Sequence, residues 1–267
     1  MKQLLKTVLP EPAVQSLRNA YDGIKRIPED IHAAIDPVRR ESIKRIRRYK
    51  NKFAGERCFV IGNGPSLRKT NLSKLEDEFT FGMNRIFLMF PELGFPTSFL
   101  VSVNDLVIEQ SVSDFQKLDI PRFVSYRALE WLQPEENLHF LYTTYTGPKF
   151  SKNAVGRLWE GATVTYTCLQ LAFYFGFSEV VLIGVDHSFA TQGKPNMTII
   201  SQGDDENHFH PKYFGKGFRW QLPDLDTSEI SYAMARKAFE DDGRKIIDAT
   251  IGGKLTVFPK VKYEDLF

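Results

Sequence analysis

Cysteine, long apolar runs and an excess of charge of one sign are all scarce in this sequence, and each shortage excludes a class of protein. Only two cysteines, Cys58 and Cys168, stand among 267 residues. They allow no disulfide framework and no zinc-type spacing, and their apolar neighbours predict buried thiols in a reducing, cytoplasmic setting. No run of about 18 apolar residues occurs, so no membrane span is predicted. The stretches Leu4-Leu5 and Thr7-Val8-Leu9 are too short for a signal-peptide core. The formal net charge is +2, from 35 Lys and Arg against 33 Asp and Glu. With 42% hydrophobic and 25% charged residues, the composition excludes disordered, collagen-like and coiled-coil classes.

The small net charge hides an asymmetry. Residues 1–53 carry 13 basic and 6 acidic residues, and residues 54–267 carry 22 and 27. A mildly acidic body with a basic arm argues against nucleic acid as the ligand of the body. The sequence therefore divides into a helical N-terminal arm, residues 1–54, and a body, residues 55–267. Pro10, Pro12, Pro28 and Pro37 are expected to punctuate the arm's helices. Between Val38 and Phe53 a thin apolar stripe (Val38, Ile43, Ile46, Phe53) accompanies a dense basic run. Three readings stand side by side: a solvated helix packing lightly on the body, an arm that touches an anionic membrane surface, and a subunit contact.

The body alternates strand and helix. Arg57–Gly62, Thr80–Met83, Ser98–Val103, Arg122–Tyr126, Leu138–Thr143, Glu179–Val185 and Lys245–Ala249 read as strands. Leu72–Phe79, Asp105–Leu118 and Thr163–Phe175 read as helices, the last stopped by Gly176. A final helix is expected from Asp226 or Thr227, with Asp226 and Glu229 as a capping box and Ile230, Ala233, Met234 and Ala238 as its apolar face. Residues 187–223 lack periodicity, as expected of a long lid loop. The fold class is α/β, a doubly wound and mostly parallel sheet with a helical arm and a lid.

The candidate chemistry sits at strand ends. Gly62-Asn63-Gly64-Pro65-Ser66 closes the first strand, where glycines and free N–H groups are expected to receive a phosphate. No Gly-Lys-Ser/Thr follows, so it is not a P-loop, and the third glycine of a dinucleotide fingerprint is absent. Asn84 and Asn104 end the next two strands, and their amides suit a base, a ribose or sugar hydroxyls. Asp186-His187-Ser188 follows the strongest strand; adjacency alone does not make a dyad of it. In the lid, His208 and His210 stand near Asp204 and Asp205. A general base fits them better than a metal site. Tyr213, Phe214, Phe218 and Trp220 suit closure over a sugar or base.

Taken in order, Ile61-Gly-Asn-Gly-Pro-Ser-Leu67, Gly82-Met-Asn84, Thr163-Val-Thr165 and Ile183-Gly-Val-Asp-His187 resemble the MptE-like family of bacterial surface-glycan clusters. That family is related to the central domain of motility-associated flagellin glycosyltransferases, and both are similar to bacterial sialyltransferases that use CMP-activated nonulosonic acids on a modified Rossmann sheet. The resemblance covers about residues 56–250. It implies a cytoplasmic glycosyltransferase of surface-glycan (lipopolysaccharide or capsule) assembly, moving a sialic-acid-like sugar from a CMP-linked donor to a glycan or glycolipid hydroxyl by an inverting, metal-independent route. No cofactor beyond the donor is implied. Gly62 to Ser66 would hold the donor's phosphate and ribose, and Asn84 and Asn104 would contact phosphate and sugar. Thr163, with Thr165 beside it, would lie by the leaving phosphate, Asp186 would close the cytidine side, and His208 would be the base, with His187 and His210 competing. The sequence departs from the sialyltransferases where Val164-Thr165 replace a Ser-Gly and where His187-Ser188-Phe189 stand in place of tyrosines. Two alternatives stay open: a pyrophosphokinase using ATP and Mg²⁺ held by Asp186, Asp204 and Asp205, and a non-catalytic nucleotide-sugar-binding protein. The resemblance also leaves room for a homo-oligomer and for membrane contact through the basic arm.

Overall fold

The computed structural model describes residues 11–267; the Leu4–Leu9 stretches and Pro10 lie outside them. Two helices lead in: α1 (Glu11–Ile35) and α2 (Pro37–Arg47). Strands β1 (Arg57–Ile61), β2 (Phe79–Met83) and β3 (Phe99–Ser102) follow, then the short helices α3 (Asp105–Glu109) and α4 (Val112–Lys117). Next come β4 (Arg122–Ser125), β5 (Leu138–Thr144), β6 (Arg157–Trp159), helix α5 (Val164–Phe175) and β7 (Glu179–Ile183). The lid contributes β8 (Thr198–Ile200) and β9 (Arg219–Gln221), and α6 (Leu225–Glu240) and β10 (Lys245–Asp248) close the domain.

Eight parallel strands form one sheet in the order β10-β7-β1-β2-β3-β4-β5-β6. The chain leaves β1 in one direction through β6 and then returns to the opposite side of β1 with β7. The switch point therefore lies between β1 and β7, where the carboxyl ends of an open α/β sheet leave a crevice. Alternation along β1 feeds two cores. Cys58 and Val60 join α5 and α6 on one face, while Phe59 and Ile61 join the loops, α3, α4 and part of the lid on the other. Both cysteines are buried and unpaired. Helix α5 is buried from Thr165 to Phe175, and Gly176 ends it in the left-handed conformation (φ 98°). Among the described residues no helix is long and apolar enough to cross a membrane.

Several expectations are corrected. Pro28 lies inside α1 instead of ending it, because Arg26 on Thr144 and Asp30 on Tyr142 and Arg157 fix the helix on both sides of the proline. Pro37 opens α2 as its first residue, with Asp36 accepting from Arg39 N at 2.8 Å. Helix α2 does more than pack lightly. Strand β6 pairs only with Tyr142–Thr144, so the first half of β5 is an open edge, and α2 covers it. Phe140 N donates to Ser42 Oγ (3.1 Å), Arg39 donates to Val155 O (2.8 Å), and Ile46 enters the core. Burial lowers the Arg39 guanidinium to about 10. Tyr49 then stacks on Phe175 and Phe53 on Phe177, with ring centroids 4.7 and 4.9 Å apart.

Leu72–Leu75 is a 3₁₀ turn instead of a helix reaching Phe79, which already belongs to β2. The expected helix over Asp105–Leu118 is broken at Gln110. There the Gln110 side chain bonds both the N–H and the carbonyl of Arg219 in β9, continuing the hairpin edge. Helix α6 is capped by Asp224, which accepts from Thr227 N (3.0 Å) and Thr227 Oγ1 (2.9 Å), so the Asp226–Glu229 box does not form. Its buried face is Ser228, Ser231, Tyr232, Ala235, Ala238 and Phe239, while Ile230 and Met234 are exposed. The serines can be buried because Ser228 Oγ and Ser231 Oγ donate to carbonyls one turn back.

If α2 is part of the fold, Ile46→Ala costs about 2–5 kcal/mol, whereas exposed Arg47→Ala stays within about 0.5 kcal/mol. Urea unfolding of both variants measures the difference, and equal effects would contradict this packing.

Candidate functional site

A cleft of about 250 Å³ opens at the switch point, near the small end of the range for ligand sites. It is lined by the Gly62–Gly64 turn, Asn84, Asn104, the start of α5, Asp186 to Phe189 and the lid residues Asn207, His208, Tyr213 and Trp220.

The glycine-rich turn is built differently from the expectation. Gly62 N donates to Ile183 O (2.7 Å) and Gly64 N to Gly184 O (2.9 Å). Ser66 donates through N (3.2 Å) and Oγ (2.7 Å) to the two oxygens of Asp186. A Cβ on Gly62 would stand 2.2 Å from Gly184 O, and one on Gly64 1.9 Å from Asp186 Oδ2. Both glycines are therefore required by the approach of the β7 turn, and the N–H groups of Gly62, Gly64 and Ser66, expected to receive phosphate, are spent inside the protein. Asp186 acts on the turn itself, holding it from below.

Across the cleft, Thr163 N donates to Glu160 O (3.0 Å) and Tyr166 N to Thr163 O (3.1 Å), which leaves Val164 N and Thr165 N at the first turn of α5 outside these bonds. Gly161 (φ 55°) and Ala162 (φ 62°) are both left-handed and aim the amino end of α5 into the cleft. Thr163 supplies no side-chain cap there; its hydroxyl lies 3.3 Å from Tyr232 OH, and Thr165 Oγ1 faces Met83 Sδ at 3.6 Å. An uncapped helix start with its dipole pointing inward favours an anion.

The asparagines are mostly engaged. Asn84 is left-handed (φ 51°) and its Oδ1 accepts from Ser102 Oγ (3.0 Å); Asn104 Oδ1 caps α3 through Val107 N (3.3 Å). Asn63 Nδ2 donates to Met83 O, but Asn63 Oδ1 is buried without a partner on the cleft wall.

Two histidine–carboxylate pairs line the same cleft. His208 Nδ1 lies 2.7 Å from Asp205 Oδ2, and Asp205 also accepts from Asn207 N (2.8 Å) and Phe214 N (2.9 Å). Burial pushes the Asp205 carboxyl up, but His208 and these N–H groups outweigh it and hold it below the usual carboxylate range. The His208 ring stacks on Tyr213 at 4.1 Å and is edged by Phe214, Phe189 and Trp220. The lid aromatics thus box the imidazole; Phe214 stacks on Phe218 and Trp220 among themselves. The second pair joins His187 Nε2 to Glu229 Oε1 at 2.8 Å, with His187 in the left-handed region (φ 54°). His210 does not line the cleft; its Nδ1 accepts from Lys212 N. The lid is latched by Arg68 on Phe209 O (2.6 Å), by Arg85 on Lys212 O (2.9 Å) and Tyr213 O, and by Phe209 N on Asn63 O (2.9 Å).

Asp186, Asp204 and Asp205 do not converge: Ser66 holds the first, His208 the third, and Asp204 is exposed. Among the described residues no group of three or more His, Cys, Asp and Glu side chains is placed to hold a metal ion.

Sequence reasoning missed Asp205 as the partner of His208, Glu229 as the partner of His187, and the wall formed by Glu160 and Tyr145 with Arg127 behind it. Arg127 bonds Asp105, Glu160 (2.9 Å), Thr143 and Tyr145 OH (2.6 Å). Burial raises the Glu160 carboxyl despite Arg127. The three-residue spacing of Asp205 and His208 was a legible signal; the Arg127 cluster joins residues up to 55 positions apart and leaves no local pattern.

The family model described as 6-hydroxymethylpterin diphosphokinase MptE-like matches residues 33–192. No curated protein matches the chain. Among solved structures it is similar to the MAf glycosyltransferase from Magnetospirillum magneticum AMB-1, with 14% identity and a TM-score of 0.50. That similarity covers 86% of this chain and 39% of the other, so this chain spans about two fifths of that protein's length. The likeness is one of fold.

The interlock of the two turns makes its own prediction. Gly64→Ala and Asp186→Ala are each expected to destabilise, and the double variant to cost less than the two singles together, by about 0.5–3 kcal/mol of coupling. Additive losses in a double-mutant cycle would show that the two turns do not meet as described.

Proposed function

The chain belongs to the MptE-like family, and on that premise we propose that it is a glycosyltransferase that moves a sugar from a nucleotide-activated donor to a glycan hydroxyl. The observation that carries this reading is the Asp205–His208 pair on the lid, facing the same cleft as the uncapped start of α5. Asp205 accepts from Nδ1–H and so fixes the tautomer that leaves Nε2 as the basic atom. In the reaction, Nε2 takes the acceptor hydroxyl's proton as its oxygen bonds the donor's anomeric carbon. The bond from that carbon to the phosphate oxygen breaks, and the α5 amino end stabilises the leaving phosphate. With the body's charge at −5 by the counts above, phosphate recognition rests on this local dipole. The fixed turn and Asn63 Oδ1 are offered to the nucleoside. The resemblance to sialyltransferases makes a CMP-linked nonulosonate the proposed donor and an inverting, metal-independent transfer the proposed route. Glu160, a buried carboxylate on the wall, would accept from sugar hydroxyls.

His208→Ala is expected to lower turnover by about 10²–10⁴-fold. His210→Ala should leave it nearly unchanged, and Asp205→Asn should fall between with KM retained. Equal losses at His208 and His210 would remove the base assignment. The family's description as 6-hydroxymethylpterin diphosphokinase-like favours one second reading, an ATP-dependent pyrophosphokinase. A thermal-shift panel of CMP, CDP, UDP, GDP and ATP, with and without Mg²⁺, separates the two. Stabilisation by CMP without Mg²⁺ is expected, by about 2.7 kcal/mol at a hundredfold excess over Kd. Stabilisation by ATP with Mg²⁺ alone would assign the pyrophosphokinase.

A further inference from the structure

Helix α1 sits the wrong way round for a helix of a globular domain. Its polar side faces the protein: Arg26 donates to Thr144, Asp30 accepts from Tyr142 and Arg157, His32 Nδ1 meets Tyr126 OH (3.1 Å), and Ala33 is buried between them. Its apolar side faces outward. Tyr21, Ile24, Ile27, Ile31 and Ile35 are exposed, Ile24 by 67% and Ile35 by 65%. An amphipathic helix normally turns this stripe to the core.

The spacing of the stripe says what covers it. Ala20, Ile24, Ile27, Ile31 and Ala34 follow one another at intervals of four, three, four and three. This is the 3.5-residue period with which one helix meets another along a seam, three isoleucines flanked by alanines. Composition averaged over the whole chain conceals it. Charge points the same way. Helix α1 holds Arg18, Lys25 and Arg26 against Glu11, Asp22, Glu29 and Asp30, so it carries no excess positive charge to draw it to an anionic lipid surface. The exposed arginines of the arm, Arg40, Arg47 and Arg48, belong to α2 and the residue after it.

We propose that the outward face of α1 is a homodimer interface, covered by α1 of a second copy of this chain about a two-fold axis, where one patch serves both sides. Sedimentation velocity on the full chain is expected to give twice the chain mass. Ile24→Glu/Ile31→Glu should sediment as a folded monomer, its thermal midpoint lowered only by the lost association, and Ile230→Glu, at an exposed isoleucine of α6, should stay dimeric. Because Cys58 and Cys168 are buried, one introduced thiol reports the contact without disturbing the fold. Ile27→Cys should cross-link chain to chain on mild oxidation, and Ile230→Cys should not. A wild-type chain that stays monomeric at about 100 μM, or a dimer that survives the double substitution, overturns the proposal. A monomer that floats with anionic phosphatidylglycerol vesicles, and loses them on Ile24→Glu/Ile31→Glu, overturns it in favour of a membrane surface.

Discussion

Everything at the carboxyl edge of the sheet depends on how closely two turns approach. The loop after β1 and the loop after β7 touch backbone to backbone at the one place where the strand order reverses. Gly62 and Gly64 are the contact surface, and Asp186 is the bracket that ties Ser66 to it. Close-packed main chain of this kind has no room to yield, so the floor of the cleft is fixed before any ligand arrives. The cost is that three of the turn's N–H groups, at Gly62, Gly64 and Ser66, are used up. Across the cleft, two successive left-handed residues lead into the first turn of α5, which has no side-chain cap and whose dipole favours an anion.

Over this rigid floor lies a lid of another character. Its aromatic residues pack on one another and on the second core of the domain, and they surround a single imidazole. The carboxylate behind that imidazole is held by two backbone N–H groups of the same loop. The imidazole is thus positioned by the lid's internal structure, while the opposite wall of the cleft is positioned by the sheet. Forming the cleft requires both.

Much of this architecture was legible because it depends on local periodicity. The seven strands read from the sequence are present, since parallel strands buried on both faces show as continuous apolar runs such as Val180-Val-Leu-Ile183. Strand β6 was not legible, because three residues, Arg157-Leu-Trp159, carry no period. Helix α6 was misread for a definite reason: its buried side uses serines whose hydroxyls bond their own backbone, while isoleucine and methionine are left outside. At the site, residue types at strand ends announced a cleft, but not what each group does within it. Glycine in Gly62-Asn-Gly64 signals close approach, and only the fold shows that the approaching body is another loop of the same chain.

The lid's latch has a consequence for how this protein can change. Arg68 and Arg85 grip carbonyl oxygens at positions 209, 212 and 213, and Asn63 holds a backbone amide at 209. None of these bonds refers to a side chain of the lid. Residues such as Lys212 and His210 can be exchanged without unfastening the loop from the domain. The outer lid is thus the part of the molecule most open to redrawing: its exposed side chains can change while the loop stays fastened to the domain through its main chain.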